Sequence, residues 1–303
     1  MPLALCNTAV GSDGRELLQH GTAAFPIACY FDDLTKEEVP WHWHEELEAA
    51  VIVEGSVIVA AGNQKFTVLP GEGFFVNSGI LHGCWNADGG ICRFHSMVFH
   101  PRLVGGSLDS VFYQNYVQPL AENHSLEGMH LKPGIPWQAE ALTAMEAAWQ
   151  DCVTEPSGYE FRVRNELSRM IFALQDNVPT ARKQHSRKAL RDEERLKRML
   201  QYIHEHCSEE LTTRSIAQSA AISESECLRC FRAVIGTSPI QYVRQYRIQR
   251  AAELLTLTQE RISDIASQCG FQDFSYFTKT FREMKGCTPS VYRAGQDSSF
   301  PEP

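Results

Sequence analysis

The chain has 303 residues, room for two domains of about 150 residues each, so a single small module is excluded. Apolar residues make up 43% and charged residues 21%, an ordinary globular composition that sets aside disordered, collagen-like and disulfide-scaffold classes. The net charge of −9 is unevenly spread: residues 1–180 hold 9 Lys and Arg against 22 Asp and Glu, residues 181–303 hold 19 against 15, and a polyanionic partner therefore belongs to the second part.

No run approaches the ~18 apolar residues of a membrane span, and Met1 to Val10 lacks the basic and apolar regions of a secretory signal. A soluble, cytoplasmic protein without a membrane partner is expected. The ten cysteines lie scattered from Cys6 to Cys287, as reduced thiols do. Cys227 and Cys230 form a C-x-x-C within a helical pattern. With no second pair at zinc-finger spacing, they read as small buried hydrophobes rather than a metal or redox pair.

From Trp41 to about Phe99, short Val-, Ile- and Phe-rich runs alternate with Glu54-Gly55-Ser56, Ala61-Gly62-Asn63, Leu69-Pro70-Gly71-Glu72-Gly73 and Asp88-Gly89-Gly90. Short strands with regularly spaced turns predict a sandwich or barrel. Trp41-His42-Trp43-His44-Glu45-Glu46-Leu47-Glu48 opens this region. On one strand, alternation would put His42, His44 and Glu48 on a common face. Gly71-x5-Asn77-x-Gly79-x2-His82-x3-Asn86 adds His82 from another strand. Three imidazoles and a carboxylate suit a divalent metal such as Zn, Fe, Ni or Mn. The same four residues also suit the polar lining of an effector pocket or a hydrogen-bonded histidine cluster. The two stretches resemble the paired motifs of the cupin superfamily, a jelly-roll β-barrel, over residues 25 to 100. The resemblance implies metal ligands at His42, His44, Glu48 and His82 in an enzyme; Asn77 departs from it by standing where proline is usual. His95, His100 and His204 have no such pattern and read as structural or solvent-facing.

Helical spacing then predicts helices over Trp137 to Asp151 and Glu160 to Asp176. Their apolar residues Leu142, Met145, Trp149, Leu167, Met170, Ile171 and Leu174 are expected either to cover the barrel and pair with a second subunit, or to close on each other as an intrachain hairpin. Asn177 to Arg191 is basic, polar and contains proline, and reads as a linker.

The basic part contains a repeat. Phe231 to Tyr242 and Phe281 to Tyr292 both read F-R-x3-G-x-[ST]-P-x-x-Y, and Ile216-Ala217-x3-Ala221-Ile222 matches Ile265-Ala266-x3-Gly270-Phe271. In each unit a short helix, with Thr212 as a candidate cap in the first copy, ends at a small residue, Ala221 or Gly270. Ser223 or Asp273 then caps a second helix. That helix buries Cys227 and Phe231 in one copy and Phe277 and Phe281 in the other. Its opposite face carries Ser225, Leu228, Arg229 and Arg232, or Phe274, Ser275, Thr278, Lys279 and Arg282. Two helices joined by a tight turn, the second exposing cations, form the helix-turn-helix arrangement that enters the DNA major groove. Arg229 and Lys279 are placed to donate to guanine, Arg232 and Arg282 to meet phosphate. Glu224 and Glu226 oppose dense phosphate contact at the first copy. A helix from Pro239 through Leu255 separates the two units, so that both could be read along one face of a duplex.

Residues 192 to 295 resemble the DNA-binding domain of the AraC/XylS family of bacterial transcription regulators. Cys227 and Leu228 depart from the less apolar residues of many relatives. The resemblance implies a cupin-like effector-sensing and dimerisation domain over 1–176, a linker over 177–191, the double helix-turn-helix domain over 192–295 and a tail over 296–303. It implies promoter DNA and a small-molecule effector as partners, a homodimer, and contact with RNA polymerase if the protein activates. The expected fold class is therefore multidomain α and β: a jelly-roll β-barrel with a helical hairpin, then an all-α domain. The rival readings are a metal-dependent cupin dioxygenase or isomerase with a regulatory attachment, and a DNA-binding protein whose barrel serves only for assembly.

Overall fold

The computed structural model describes residues 3–4, 10–11, 14–35, 38–123, 125–178 and 187–297. Residues 179–186 of the expected linker and 298–303 of the expected tail lie outside the described residues. The chain divides into two compact units between Arg191 and Asp192. Among the described residues no helix is long and apolar enough to cross a membrane.

Among the described residues the first unit holds ten strands: β1 (Leu3–Ala4), β2 (Ile27–Asp33), β3 (Val39–His42), β4 (Leu47–Glu54), β5 (Val57–Ala61), β6 (Gln64–Val68), β7 (Gly73–Val76), β8 (His82–Asn86), β9 (Arg93–Phe99) and β10 (Gly128–Leu131). They form two sheets, ordered β1-β2-β9-β4-β7-β10 and β3-β8-β5-β6. Strands β2 to β9 pair antiparallel throughout, and this order across two facing sheets is the double Greek key of a jelly roll. The turn segments at Gly55, Gly62, Gly71 and Gly89 fall between strands as their composition predicts.

The six-stranded sheet is apolar on both faces. In β4, Ala50 and Ile52 point into the barrel beside Val59, Phe74 and Phe94. Leu47 and Ala49 point the other way, toward α3 (Pro136–Thr154) and α4 (Tyr159–Asn177). Successive side chains alternate across a strand, so a sheet packed on both sides shows no polar alternation in its sequence. Leu142, Met145, Trp149, Leu167, Met170, Ile171 and Leu174 are all buried within this one chain, where the two helices pack on each other and cover the six-stranded sheet, so this apolar face is already used. The segment between β9 and α3 was not legible as structure; it forms α1 (Arg102–Gly105), a π-helical turn Tyr113–Val117, α2 (Gln118–Ala121) and β10.

The second unit is helical. It comprises α5 (Arg187–Glu205, which begins within the expected linker), α6 (Thr213–Ser219), α7 (Glu224–Val234), α8 (Pro239–Leu257), α9 (Ile262–Gln268), α10 (Phe274–Lys285) and α11 (Pro289–Asp297). Thr212 caps α6 in a reciprocal capping box with Ser215, while Ser223 and Asp273 cap α7 and α10. Each turn passes through a left-handed residue, Ala221 at φ 53° and Gly270 at φ 79°. Phe231, Phe277 and Phe281 are fully buried, the last two in a cluster with Ile248, Ala251 and Leu255 of α8. The 19 residues of α8 span about 28 Å at 1.5 Å per residue.

Candidate effector site and candidate DNA interface

His42 ends β3, His44 follows it, Glu48 lies in β4 and His82 opens β8. The expectation of a single strand carrying His42, His44 and Glu48 is corrected: a bend at Glu45 and Glu46 breaks it, and β4 starts afresh at Leu47. The four residues converge nonetheless, because β3 pairs with β8 with His42 opposite His82, while β4 lies within the facing sheet. One ligand atom from each lies within 4.8 Å of all the others, and all four residues are buried.

The imidazoles are oriented from behind. Each Nδ1 lies against a backbone carbonyl: Pro40 for His42 at 2.9 Å, Glu46 for His44 at 3.1 Å and Ile80 for His82 at 2.7 Å. A carbonyl only accepts, so each Nδ1 carries the hydrogen and each Nε2 is turned inward. Glu48 Oε2 lies 2.8 Å from Nε2 of His82 and 3.4 Å from Nε2 of His44. Burial alone would raise the Glu48 carboxyl; the charge of His82 and the hydrogen bonds from both histidines outweigh it and hold the group well below the usual carboxylate range. Burial lowers His82, but Glu48 more than compensates and raises it. His42 is lowered by burial, then by His82, to about 3. The cluster thus concentrates its positive charge opposite Glu48 and keeps His42 neutral. Three inward imidazole nitrogens with a carboxylate fit one divalent ion of the Zn, Fe, Ni or Mn type. The backbone carbonyls behind the rings supply the outer support such ligands need.

Two residues that the motifs did not reveal complete the site. Glu16 Oε2 accepts from Nε2 of His20 at 3.0 Å and lies 3.8 Å from Nε2 of His42. His20 Nδ1 meets the Tyr30 hydroxyl at 2.8 Å. Asn77 stays outside the cluster, donating to the Leu120 carbonyl at 2.9 Å, and Asn86 donates to Leu34 and Gly90. His95 stacks on Trp149 at 3.5 Å and His204 bonds the Tyr242 hydroxyl at 2.8 Å, both in structural roles.

In the second unit the two recognition helices present their expected faces unequally. On α10, Phe274, Ser275, Lys279 and Arg282 are exposed and Thr278 is half-buried. They line an open groove of about 700 Å³ that extends to Thr288. The Lys279 side chain is 75% exposed and its ion pair with Glu283 is a loose one at 3.9 Å. Tyr276, absent from the expected face, is also exposed. On α7, Ser225, Arg229 and Arg232 are exposed and Leu228 is half-buried. Arg229, however, is tied down: Nε donates to Glu226 at 2.9 Å, and one terminal nitrogen donates to Glu226 at 2.8 Å and to Asp192 of α5 at 2.6 Å. Those bonds push its guanidinium still further above its ordinary range.

Asp192, Glu226 and Cys230 also lie close enough to hold an ion. Their carboxylates are already paired with Arg229 and Arg195. Cys227 and Cys230 are buried, and burial pushes the Cys227 thiol to about 12 and that of Cys230 upward as well. The geometry accords with buried hydrophobes.

A jelly-roll barrel with a polar cluster inside, followed by a helical unit with two helix-turn-helix motifs, defines a ligand-responsive DNA-binding regulator. The AraC-like ligand binding domain matches residues 25–147, and a helix-turn-helix domain matches residues 216–295. The chain belongs to the AraC family of transcriptional regulators. It is 29% identical over 290 residues to the HTH-type transcriptional regulator YdeC of Bacillus subtilis strain 168, covering 95% of this chain and 98% of that one. It is 23% identical over 265 residues to the transcriptional activator RhaS of Klebsiella pneumoniae strain 342, covering 88% and 91%. The fatty-acid-bound structure of ToxT from Vibrio cholerae strain SCE256 aligns with 91% of this chain and 98% of its own at a TM-score of 0.45 and 13% identity, too distant to transfer its ligand.

Proposed function

We propose that α10 supplies the dominant reading of the operator. Ser275, Thr278 and Lys279 meet base edges, Phe274 a thymine methyl and Arg282 the phosphates. Ser225, Leu228, Arg229 and Arg232 of α7 act at a second, weaker element, where Arg229 contacts a base only after leaving Asp192 and Glu226. The exposed and nearly unpaired Lys279, beside an open groove, carries this reading. The sensor spans 1–176, the linker 177–191, the DNA-binding unit 192–295 and the tail 296–303. An effector binding around His42, His44, Glu48 and His82 shifts the protein between two states of different DNA affinity, a coupling of about 1–3 kcal/mol in such systems. The barrel senses rather than catalyses. A homodimer would use the exposed Phe161 and Phe172 of α4 rather than the buried faces of α3 and α4. An activating role would add RNA polymerase as a partner, and promoter binding places the protein in the cytoplasm.

The test is quantitative DNA binding by the full chain to duplexes it selects from a random pool. Lys279→Ala should cost about 1–3 kcal/mol and relax base choice at one position, while Arg229→Ala costs less. Equal losses from both would remove the proposed division. For the cluster, a stoichiometric divalent ion should raise the melting temperature, and His44→Ala should abolish the shift. An ion that stabilises both proteins equally binds elsewhere.

A further inference from the structure

The cavity above the histidine cluster has a volume of about 30 Å³. That is about the share of a single water, whereas small-molecule sites run to about 300–1,000 Å³. An effector can therefore enter only if something leaves. β3 pairs with β8 at Val39 and His42 across an irregularity, and the walls from β2, β4 and β9 are held in ladders. The residues ahead of His20 are not: Gly14 and Glu16 reach the barrel through one backbone bond each, Trp43 N to Gly14 O at 3.0 Å and Glu16 N to Trp43 O at 2.9 Å. From this segment two side chains enter the cavity. Glu16 lays its carboxylate between His20 and His42. Leu18, two residues on, lines the same cavity and packs against Ala28, Tyr30 and Val98. His20 is fixed independently through the Tyr30 hydroxyl, so it can remain in place when the residues before it move.

We infer that Glu16 and Leu18 occupy the place of the effector, and that the effector is a small carboxylic acid bearing a short apolar group. Its carboxylate accepts from His20 beside His42, as Glu16 now does, and its apolar group covers the face that Leu18 covers. The segment before His20 is then an internal competitor that sets the concentration at which the acid binds. The inference rests on the effector-site reading above and adds the chemical class.

The experiment titrates the full chain calorimetrically with isovalerate, propionate and benzoate, and with isoamyl alcohol, propanol and benzyl alcohol as uncharged counterparts. Removing the competitor raises the competent fraction, so Glu16→Ala should bind the acids about tenfold more tightly than the wild type, with the alcohols weak for both. Adding His20→Phe should cancel the gain. Glu16→Gln, which keeps the size and removes the charge, should gain less, and it serves as the measurement if the alanine variant does not fold. Acids bound no more tightly than their alcohols, or no gain in either Glu16 variant, would overturn the inference. DNA affinity measured with and without the bound acid separates the two readings: acid binding that leaves DNA affinity unchanged overturns the effector coupling and leaves the carboxylate site standing.

Discussion

The two helix-turn-helix units share one repeat and one way of folding, yet they differ in what they leave free for DNA. In both, a capped recognition helix buries a pair of side chains one turn apart, Cys227 with Phe231 and Phe277 with Phe281. In the first unit the cation at the reading position is held by Glu226 and Asp192; in the second its counterpart is exposed. Burial of the inner face requires only the right apolar spacing, which both copies keep. Availability of the outer face depends on which charges stand nearby, and these differ. A duplicated motif therefore need not mean duplicated recognition.

The same comparison can be broken first at the turns. Gly270 has φ +79°, and a Cβ there would come within 2.3 Å of the Cys207 carbonyl and 2.8 Å of the Arg247 guanidinium. Gly270→Ala should lose about 3 kcal/mol, from left-handed strain together with overpacking, read as a lower denaturation midpoint. The first unit already tolerates Ala221 at φ +53°, so Ala221→Gly should gain up to about 1 kcal/mol. A neutral Gly270→Ala would mean that the two turns are interchangeable. A smaller effect is expected at the charge clamp. Asp192→Asn removes one partner of Arg229 and should raise DNA affinity by about threefold at low salt, fading as salt rises, because it lifts an exposed electrostatic restraint. If Arg229→Ala then costs more in that background than in the wild type, the clamp governs the first reading helix. Equal costs in both backgrounds would show that Asp192 plays no part.

The helical unit was largely legible because its signals are local. Thr212, Ser223 and Asp273 cap the helices expected of them, since a cap needs only an oxygen beside the first free N–H groups. The strands and turns of the barrel were legible for the same reason. Their assignment to a common face was not: the reading that put His42, His44 and Glu48 on one strand missed the bend at Glu45 and Glu46. The segment from Arg102 to Leu131 carries no regular period and was missed altogether. Glu16 and His20 were missed because they approach the site from a segment remote in sequence, with no motif to mark them.

By itself, then, the sequence determined the division into a barrel and a doubled reading unit, the capping of its helices and the four residues of the cluster, all of which follow from spacing along the chain. Only the tertiary structure decided that the hairpin helices spend their apolar faces on the barrel, that Arg229 is restrained while Lys279 stands exposed, and that Glu16 fills the place beside His42. Those outcomes depend on which distant groups meet across space, where electrostatics and close packing act without regard to separation along the chain.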